Sequence, residues 1–291
     1  MILCAGLGTR LRPLSEWCAK PMVPVGDAPV VEHVRRRLAG FDRIVVNVHH
    51  RPDDVRGWAP PEVRVSDEPV LLGTAGGLAA AADLLGPGRV LVWNGDILCD
   101  LDPEVLLRSR ADAALAIAPR PVGEGNVGVD GSGRVVRLRT RERFGEEVAG
   151  GDFLGIHVVG ERLRALLPRK GCLVGDLYLP ALAAGTHLEA VVTTAPFRDI
   201  GHLASYVAAN RAWLGERASW SAEPHAHDIT GSIVGRGARI EASATRCIVW
   251  PGAVVDAPVR DAIVTPAGRV SLEVLLDAAG VAAEDQERAR R

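Results

Sequence analysis

Short apolar runs alternate with helix-spaced apolar positions through the first half of the chain. Residues 1–4 (MILC) read as a strand, and a glycine-rich turn follows them. Over 29–38, Val30, Val31, Val34 and Leu38 fall on one side at helical spacing, which predicts a helix. Residues 43–48 and 63–66 read as further strands, the Ala- and Leu-rich stretch 74–85 as a helix, and 89–93 as a strand ending at Asn94-Gly95-Asp96. Alternation of this kind predicts a Rossmann-like α/β fold, a mixed, mostly parallel sheet with helices on both faces. Ligands of such sheets bind outside the carboxyl ends of the strands, where the turns at 6–10 and at Asp96 both fall.

The pattern changes to strands and tight turns over 112–159, with Asp130-Gly131-Ser132-Gly133 as a hairpin turn. Helical spacing returns at 161–167 and at 203–214. Beyond Trp220, aliphatic residues recur about every six positions (Val234 and Ile240, Ile248 and Val254), with Gly and small residues between them. That period predicts two or three coils of a short, left-handed β-helix-like extension, although it slips between Ile240 and Ile248; an irregular β-hairpin is the alternative. Residues 271–291 read as a terminal helix running into a charged tail. The expected organisation is therefore a large α/β domain over 1–220, the coils over 221–270 and the tail over 271–291.

A chain of 291 residues is long enough for one large domain and an appendage. Its 47% hydrophobic and 24% charged residues are ordinary for a soluble protein with a sizeable core. A formal net charge of -2 argues against a nucleic-acid partner. No apolar run reaches the roughly 18–20 residues that span a bilayer. The first residues lack the basic region and cleavage-like site of a signal peptide, so a cytoplasmic protein without a membrane partner is expected. Cys4, Cys18, Cys99, Cys172 and Cys247 are scattered, odd in number and without a CxxC pair, which suits reduced thiols better than a disulfide frame or a zinc site. Among 34 basic residues only Lys20 and Lys170 are lysines.

Gly6-Leu7-Gly8-Thr9-Arg10 follows a strand, as a phosphate-cradling turn should, because glycines let the backbone approach a phosphate. Leu11 stands where a dinucleotide fingerprint needs its third glycine, and no Gly-Lys-Ser/Thr follows, which excludes a Walker loop. The turn continues through Arg12, Pro13 and Leu14 to Lys20-Pro21-Met22. This pattern, GxGTRLxPL…KPM, resembles the sugar-phosphate nucleotidyltransferase family, and most closely its mannose-1-phosphate guanylyltransferase-like members.

The resemblance implies a nucleotide-diphospho-sugar transferase fold in which Arg10 and Lys20 are catalytic. Arg10 would offer a planar fork to the leaving pyrophosphate, and Lys20 a compact charge to the phosphate in transit. A surface lysine before a turn proline is the bland alternative for Lys20. Nucleotide contacts are implied at Leu3, Ala5, Gly6, Gly8, Thr9, Arg10 and Asn94. Residues 68–78 (EPVLLGTAGGL) resemble the base-recognition segment, with Glu68, Gly73, Thr74 and Gly76 as contacts and the base laid on the backbone at Gly73 and Gly76. The LGTAGG form looks most like members that use GTP. Asp96 in Asn94-Gly95-Asp96 and Asp199 in FRDIGHLASY match the family's two metal-binding aspartates, so Mg2+, a hard ion that takes oxygen ligands, is the implied cofactor. Capping a following helix is the commoner role for a lone Asp at a strand end. The family's usual Thr-Pro after DIG is His202-Leu203 here.

On the sugar side, Asn126, Gly128 and Gly155 lie in stretches resembling the family's sugar-contacting strands. Many relatives carry Phe-x-Glu-Lys-Pro between them, whereas this chain reads Leu138-Arg139-Thr140-Arg141. Arg139 or Arg141 is then the cation available to the sugar phosphate, and arginine is not a neutral exchange for lysine. Asp176 reads equally as a sugar contact or a helix cap. His49, His50, His225 and His227 lack acidic partners at metal-ligand spacing and read as loop or surface residues. The implied reaction joins a nucleoside triphosphate (GTP favoured) to a sugar 1-phosphate, giving a GDP-mannose-like product and pyrophosphate. A uridylyltransferase for an amino-sugar 1-phosphate and a non-catalytic nucleotide-sugar sensor are the alternatives, and a homo-oligomer is left open. A β-helix acyltransferase would need more coils and a catalytic histidine among them.

Overall fold

Successive residues of the inner strands point to opposite faces of one sheet, and this alternation builds two apolar cores. The structure, a computed structural model, describes residues 1–272, so the helix expected over 271–291 falls almost wholly outside the described residues. In chain order the first half contains β1 (Ile2–Leu3), α1 (Val30–Arg37), β2 (Ile44–Val48), α2 (Pro52–Trp58), β3 (Val63–Asp67), α3 (Gly73–Ala80) and β4 (Val90–Asn94). Strand β1 pairs in parallel with β4 and β2, and β2 with β3. Val45, Val90 and Val92 pack with Ala75 and Leu78 of α3 in one core. Their neighbours Val46, Leu91 and Trp93 pack with Val31 and Val34 of α1 and Val55 of α2 in the other. Each such fully buried aliphatic side chain contributes about 1.5–3 kcal/mol.

The predicted stripe of α1 (Val30, Val31, Val34, with Leu38 just beyond) is buried, and Arg35, Arg36 and Arg37 sit in its last turn, where the helix dipole favours cations. The single helix expected over 74–85 is two pieces. Helix α3 ends before Ala81, which leaves helical geometry at φ -84°, ψ 3°, and a short turn follows over Ala82–Leu85.

The second half adds β5 (Ile97–Cys99), β6 (Ala113–Arg120), β7 (Val127–Val129), β8 (Val135–Leu138), β9 (Ala149–Val159), β10 (Leu188–Val192), β11 (Phe197–Asp199) and α4 (Leu203–Leu214). The expected turn at 130–133 closes the β7–β8 hairpin, with the Asp130 N–H donating to the Arg134 carbonyl (2.9 Å). Long β9 runs antiparallel to β4, β6 and β7, and β10 lies parallel to β6. The sheet is thus mixed, with a parallel block β4-β1-β2-β3 extended by antiparallel strands. Strands β5 and β11 pair separately.

By compactness the described residues form two units: one of residues 1–9, 18–23 and 30–199, the other of 10–17, 24–29 and 200–272. The sequence placed a boundary at 220. Helix α4 groups instead with the coils, because its Asn210 accepts a hydrogen bond from the Gly26 N–H (3.0 Å) and its Tyr206 hydroxyl accepts one from Trp250 Nε1 (2.8 Å).

In the second unit Ile233 pairs with Ile248 and Ile248 with Ile263, each fifteen positions on. The other sides stack Arg239 on Val254 and Ala244 on Val259 at the same spacing. One turn of this β-helix therefore takes fifteen residues on three unequal sides, so a six-residue period survives on one side only and must slip between Ile240 and Ile248. Gly231, Arg246 and Asp261 occupy equivalent corners at φ 67°, 53° and 46°. Val234, Ala244, Cys247, Val249, Ala253 and Val255 fill the interior. Among the described residues no helix is long and apolar enough to cross a membrane.

Candidate active site

Parallel pairing brings the carboxyl ends of three strands level: Leu3 of β1 lies opposite Asn47 of β2 and Asn94 of β4. The chain leaves this row through Cys4 and Ala5 into the glycine turn. Gly8 has φ 65°, a backbone that side chains rarely adopt. Gly6 is different: a Cβ there would meet no atom within 4 Å, so the protein's own packing gives no reason for glycine. Leu7 and Thr9 are exposed. Arg10 lies in the single turn Thr9–Leu11, belongs to the second unit and is exposed. The Cys4 thiol is buried; burial, and then the Asp96 carboxylate, raises its pKa and keeps it protonated.

Asp96 occupies the turn between β4 and β5. Antiparallel pairing of β5 with β11 sets Asp199 opposite Ile97, one residue beyond Asp96, so aspartates far apart in the chain reach the same end of one ladder. The Lys20 ammonium forms an ion pair with Asp96; its side chain is 12% exposed and that of Asp96 25%. Lys20 starts the turn Lys20–Met22, anchored where the buried Ala19 N–H donates to Asp54 Oδ2 in the first turn of α2 (2.8 Å). Asp199 is exposed. Among the described residues no three or more His, Cys, Asp or Glu side chains form a cluster that could by itself hold a metal.

The segment 68–78 is tied down from inside. Glu68 is 3% exposed, and its carboxylate accepts from Asn47 Nδ2 (2.6 Å) and from the Leu72 N–H (2.9 Å). At Gly73 a Cβ would lie 2.4 Å from the Gly171 carbonyl oxygen, and at Gly76 2.7 Å from that of Arg169. The backbone of 169–171 thus occupies the space over both glycines, clamped by hydrogen bonds from Ala75 N to Gly171 O (2.9 Å) and from Gly171 N to Leu72 O (2.8 Å). Thr74 Oγ1 accepts from the Leu173 N–H (2.8 Å). Val70 and Leu71 are exposed.

Of the residues expected to contact the sugar, Asn126 has its Oδ1 accepting from the Phe153 N–H (2.8 Å). Gly155 (φ 74°) sits in the β9 bulge, where a Cβ would fall 2.4 Å from Asn94 Nδ2. A Cβ on Gly128 would fall 2.5 Å from Glu147 Oε2. Glu147 and Arg137 are a buried pair (2.8 Å), and the hydrogen bonds from Arg137 hold the Glu147 carboxyl down at about 2. Arg137 also donates to the carbonyls of Glu124, Gly125 and Val127, so the buried arginine of this stretch serves the fold. Arg139 and Arg141 are exposed, the former with its guanidinium 5.8 Å over the Phe153 ring. Asp176 lies in the helical segment Leu173–Tyr178, and its Oδ2 accepts from the N–H of Cys172 at that segment's start (2.6 Å), the capping role of the two the sequence offered.

Three features escaped the sequence reading: Asn47, the Arg137–Glu147 pair and a buried His157 hydrogen-bonded to the Tyr178 hydroxyl. Asn47 left a signal as the one polar residue in the run IVVNV. His157 likewise interrupts the apolar end of β9. Nothing local marks Glu147 as the partner of Arg137.

The sequence profile of the nucleotidyl transferase family matches residues 1–216. The chain is 28% identical over 243 residues to a UTP--glucose-1-phosphate uridylyltransferase of Synechocystis sp., covering 74% of this chain but only 63% of that protein's length. It is 28% identical over 275 residues to the mannose-1-phosphate guanylyltransferase of Mycobacterium tuberculosis, covering 82% and 76%. A shorter stretch of 111 residues, 35% of this chain and 48% of the relative, is 40% identical to an N-acetylmuramate alpha-1-phosphate uridylyltransferase of Neisseria meningitidis. In fold it is similar to HddC of Yersinia pseudotuberculosis complexed with GMP-PN (TM-score 0.60, 24% identity, 73% of this chain and 97% of that one). UDP-glucose pyrophosphorylase of Acinetobacter baumanii is similar in the same way (TM-score 0.63, 19% identity, 74% and 93%). The chain belongs to the nucleotidyl transferase family, whose profile spans its glycine turn, the segment 68–78 and both aspartates.

Proposed function

We propose that this protein transfers a nucleotidyl group from a nucleoside triphosphate to a sugar 1-phosphate, releasing pyrophosphate. The observation that carries the reading is the Lys20–Asp96 ion pair, with Asp199 paired opposite Ile97, the residue after Asp96, in a chain whose glycine turn is open at Gly6. A sugar-phosphate oxygen would attack the α-phosphorus in line, with catalysis supplied by positioning and charge neutralisation. Lys20 leaves Asp96 to take up phosphate charge, and Arg10 holds the departing pyrophosphate.

The donor set suits Mg2+: two carboxylates, with the nearby Cys4 kept a neutral thiol, offer hard oxygens and leave most of the coordination shell to phosphate and water. When bound, Mg2+ would neutralise the α-phosphate and orient the attacking group. Asp96 and Asp199 would hold it.

GTP with mannose 1-phosphate is the favoured pair, supported by the LGTAGG segment and by the likeness to the mycobacterial guanylyltransferase over 82% of the chain. UTP with an N-acetylated amino-sugar 1-phosphate is the second reading, favoured by the 40% identical stretch and by the departure at 138–141. The test is a pyrophosphate-release assay crossing GTP, UTP, ATP and dTTP with mannose, glucose, N-acetylglucosamine and N-acetylmuramate 1-phosphates. The highest kcat/KM is expected for GTP with mannose 1-phosphate. A maximum for UTP with an amino sugar would move the assignment to the second reading, and no product from any pair would overturn the enzyme.

A further inference from the structure

Asn47 and Glu68 are the two most deeply placed polar groups of the strand row, and neither faces open space. Asn47 is 2% and Glu68 3% exposed. The Asn47 side chain reaches both ways: its Oδ1 accepts from the Cys4 N–H (2.8 Å), and its Nδ2 donates to Glu68 Oε1 (2.6 Å). The other Glu68 oxygen accepts from the Leu72 N–H (2.9 Å), and the Glu68 N–H donates to the Val48 carbonyl (2.9 Å). Gly77 makes room for the bridge, since a Cβ there would lie 2.4 Å from Glu68 Oε1 and 2.7 Å from Asn47 Nδ2. Two side chains therefore join the entry of the glycine turn at Cys4, the loop at Leu72 and the start of α3.

We infer that Asn47 and Glu68 are a positioning pair, a buried bridge that holds the base-facing segment 68–78 in register with the phosphate turn. The inference rests on the nucleotidyl-transfer reading above and gives Glu68 a different task within it. Its carboxylate acts inside the fold rather than on the base, because both oxygens already have donors and its side chain is sealed from solvent. The bridge is directional: Asn47 supplies one acceptor and one donor, and Glu68 two acceptors. Reversing one member alone must leave like facing like. In Glu68→Gln an amide N–H is pressed against either Asn47 Nδ2 or the Leu72 N–H. In Asn47→Asp two carboxylates face each other. The double variant Asn47→Asp/Glu68→Gln reverses the central bond and satisfies every group again: Asp accepts from Cys4 N and from the Gln amide, and Gln accepts from Leu72 N.

The experiment is calorimetric titration of the full chain with GTP and with UTP, in magnesium and without sugar phosphate, alongside thermal unfolding of the same samples. Each single variant should weaken binding of the preferred triphosphate by at least about tenfold, the scale of one buried unsatisfied polar group. The double variant should return to within about threefold of wild type, the non-additivity expected of a coupled pair. Single variants that unfold at lower temperature yet bind as wild type would overturn positioning and leave only stability. A double variant that regains its melting temperature without its affinity would overturn it in favour of direct contact between Glu68 and the nucleotide. Should a single variant not fold, the double variant still decides between these outcomes. If wild type binds neither triphosphate, the functional reading fails and the bridge's role falls with it, whereas failure of the bridge alone leaves wild-type binding intact.

Discussion

Lys20 holds Asp96 in the free protein, so one side chain neutralises a carboxylate that the proposed chemistry needs for a cation. The pair is part-buried, which gives its Coulomb attraction more weight than a surface ion pair has, yet it remains open enough to be exchanged. Asp96→Asn and Lys20→Ala are each expected to lower turnover by about 10²–10³-fold, the scale for losing one charge-stabilising group from a preorganised site. Pyrophosphate release read beside an unchanged circular dichroism spectrum checks this, and near-normal turnover in either variant would remove the role assigned to that residue. Arginine dominates the basic residues of this chain, which made Lys20 conspicuous from its letter alone. Its partner could not be read in that way, because residues 20 and 96 lie far apart in the chain and meet only in the folded first unit.

At the scale of elements, two devices depend on atoms that only pairing brings together. The β9 bulge places Gly155 at φ 74° against the Asn94 side chain, so Gly155→Ala meets both backbone strain and a 2.4 Å overlap. A loss of about 1–3 kcal/mol is expected for that variant in urea unfolding. In the coils the buried Ser232 hydroxyl donates to the Ala244 carbonyl (2.8 Å) and accepts from the Cys247 N–H (2.9 Å), joining one turn to the next. Ser232→Ala should cost about 1–3 kcal/mol by the same measurement, since it leaves the Cys247 donor buried without this acceptor. Apolar periodicity revealed the helix stripe of α1, the bounds of α4 and the existence of a β-helix. It misjudged the coil repeat, because a search for one fixed step cannot recognise three unequal sides that close only every fifteen residues. It also ran α3 through Ala81, where alanine composition favours helix and the tertiary path does not.

Across the whole molecule, buried titratable groups tie stability to pH. Burial pushes the His157 imidazole from its ordinary 6.5 down to about 3, so it is neutral in the folded chain. The unfolded chain binds that proton more readily, and stability is therefore complete above pH 6.5 and declines as the pH falls toward 3. The contribution is at most about 1.4 kcal/mol per pH unit for one proton. His157→Asn should flatten the fall in unfolding free energy between pH 6.5 and 4 by up to that slope; an unchanged slope would mean that His157 is not held neutral. Glu147 acts lower: its carboxyl is held at about 2, so its contribution is present above pH 4.5 and lost only as the pH falls below that.

The sequence by itself determined the family, the α/β sheet with a coiled extension and the order of the motifs, because periodicity and local signatures need only neighbours along the chain. Tertiary structure alone decided that Asp199 reaches the end of the ladder that begins beside Asp96. It also gave Glu68, Gly73, Gly76 and Gly128 partners within the protein, and brought Arg137 to Glu147. The reason is physical: hydrogen-bond satisfaction and close packing are settled between segments far apart in the chain, and a residue's letter does not say which donor or backbone will fill the space beside it.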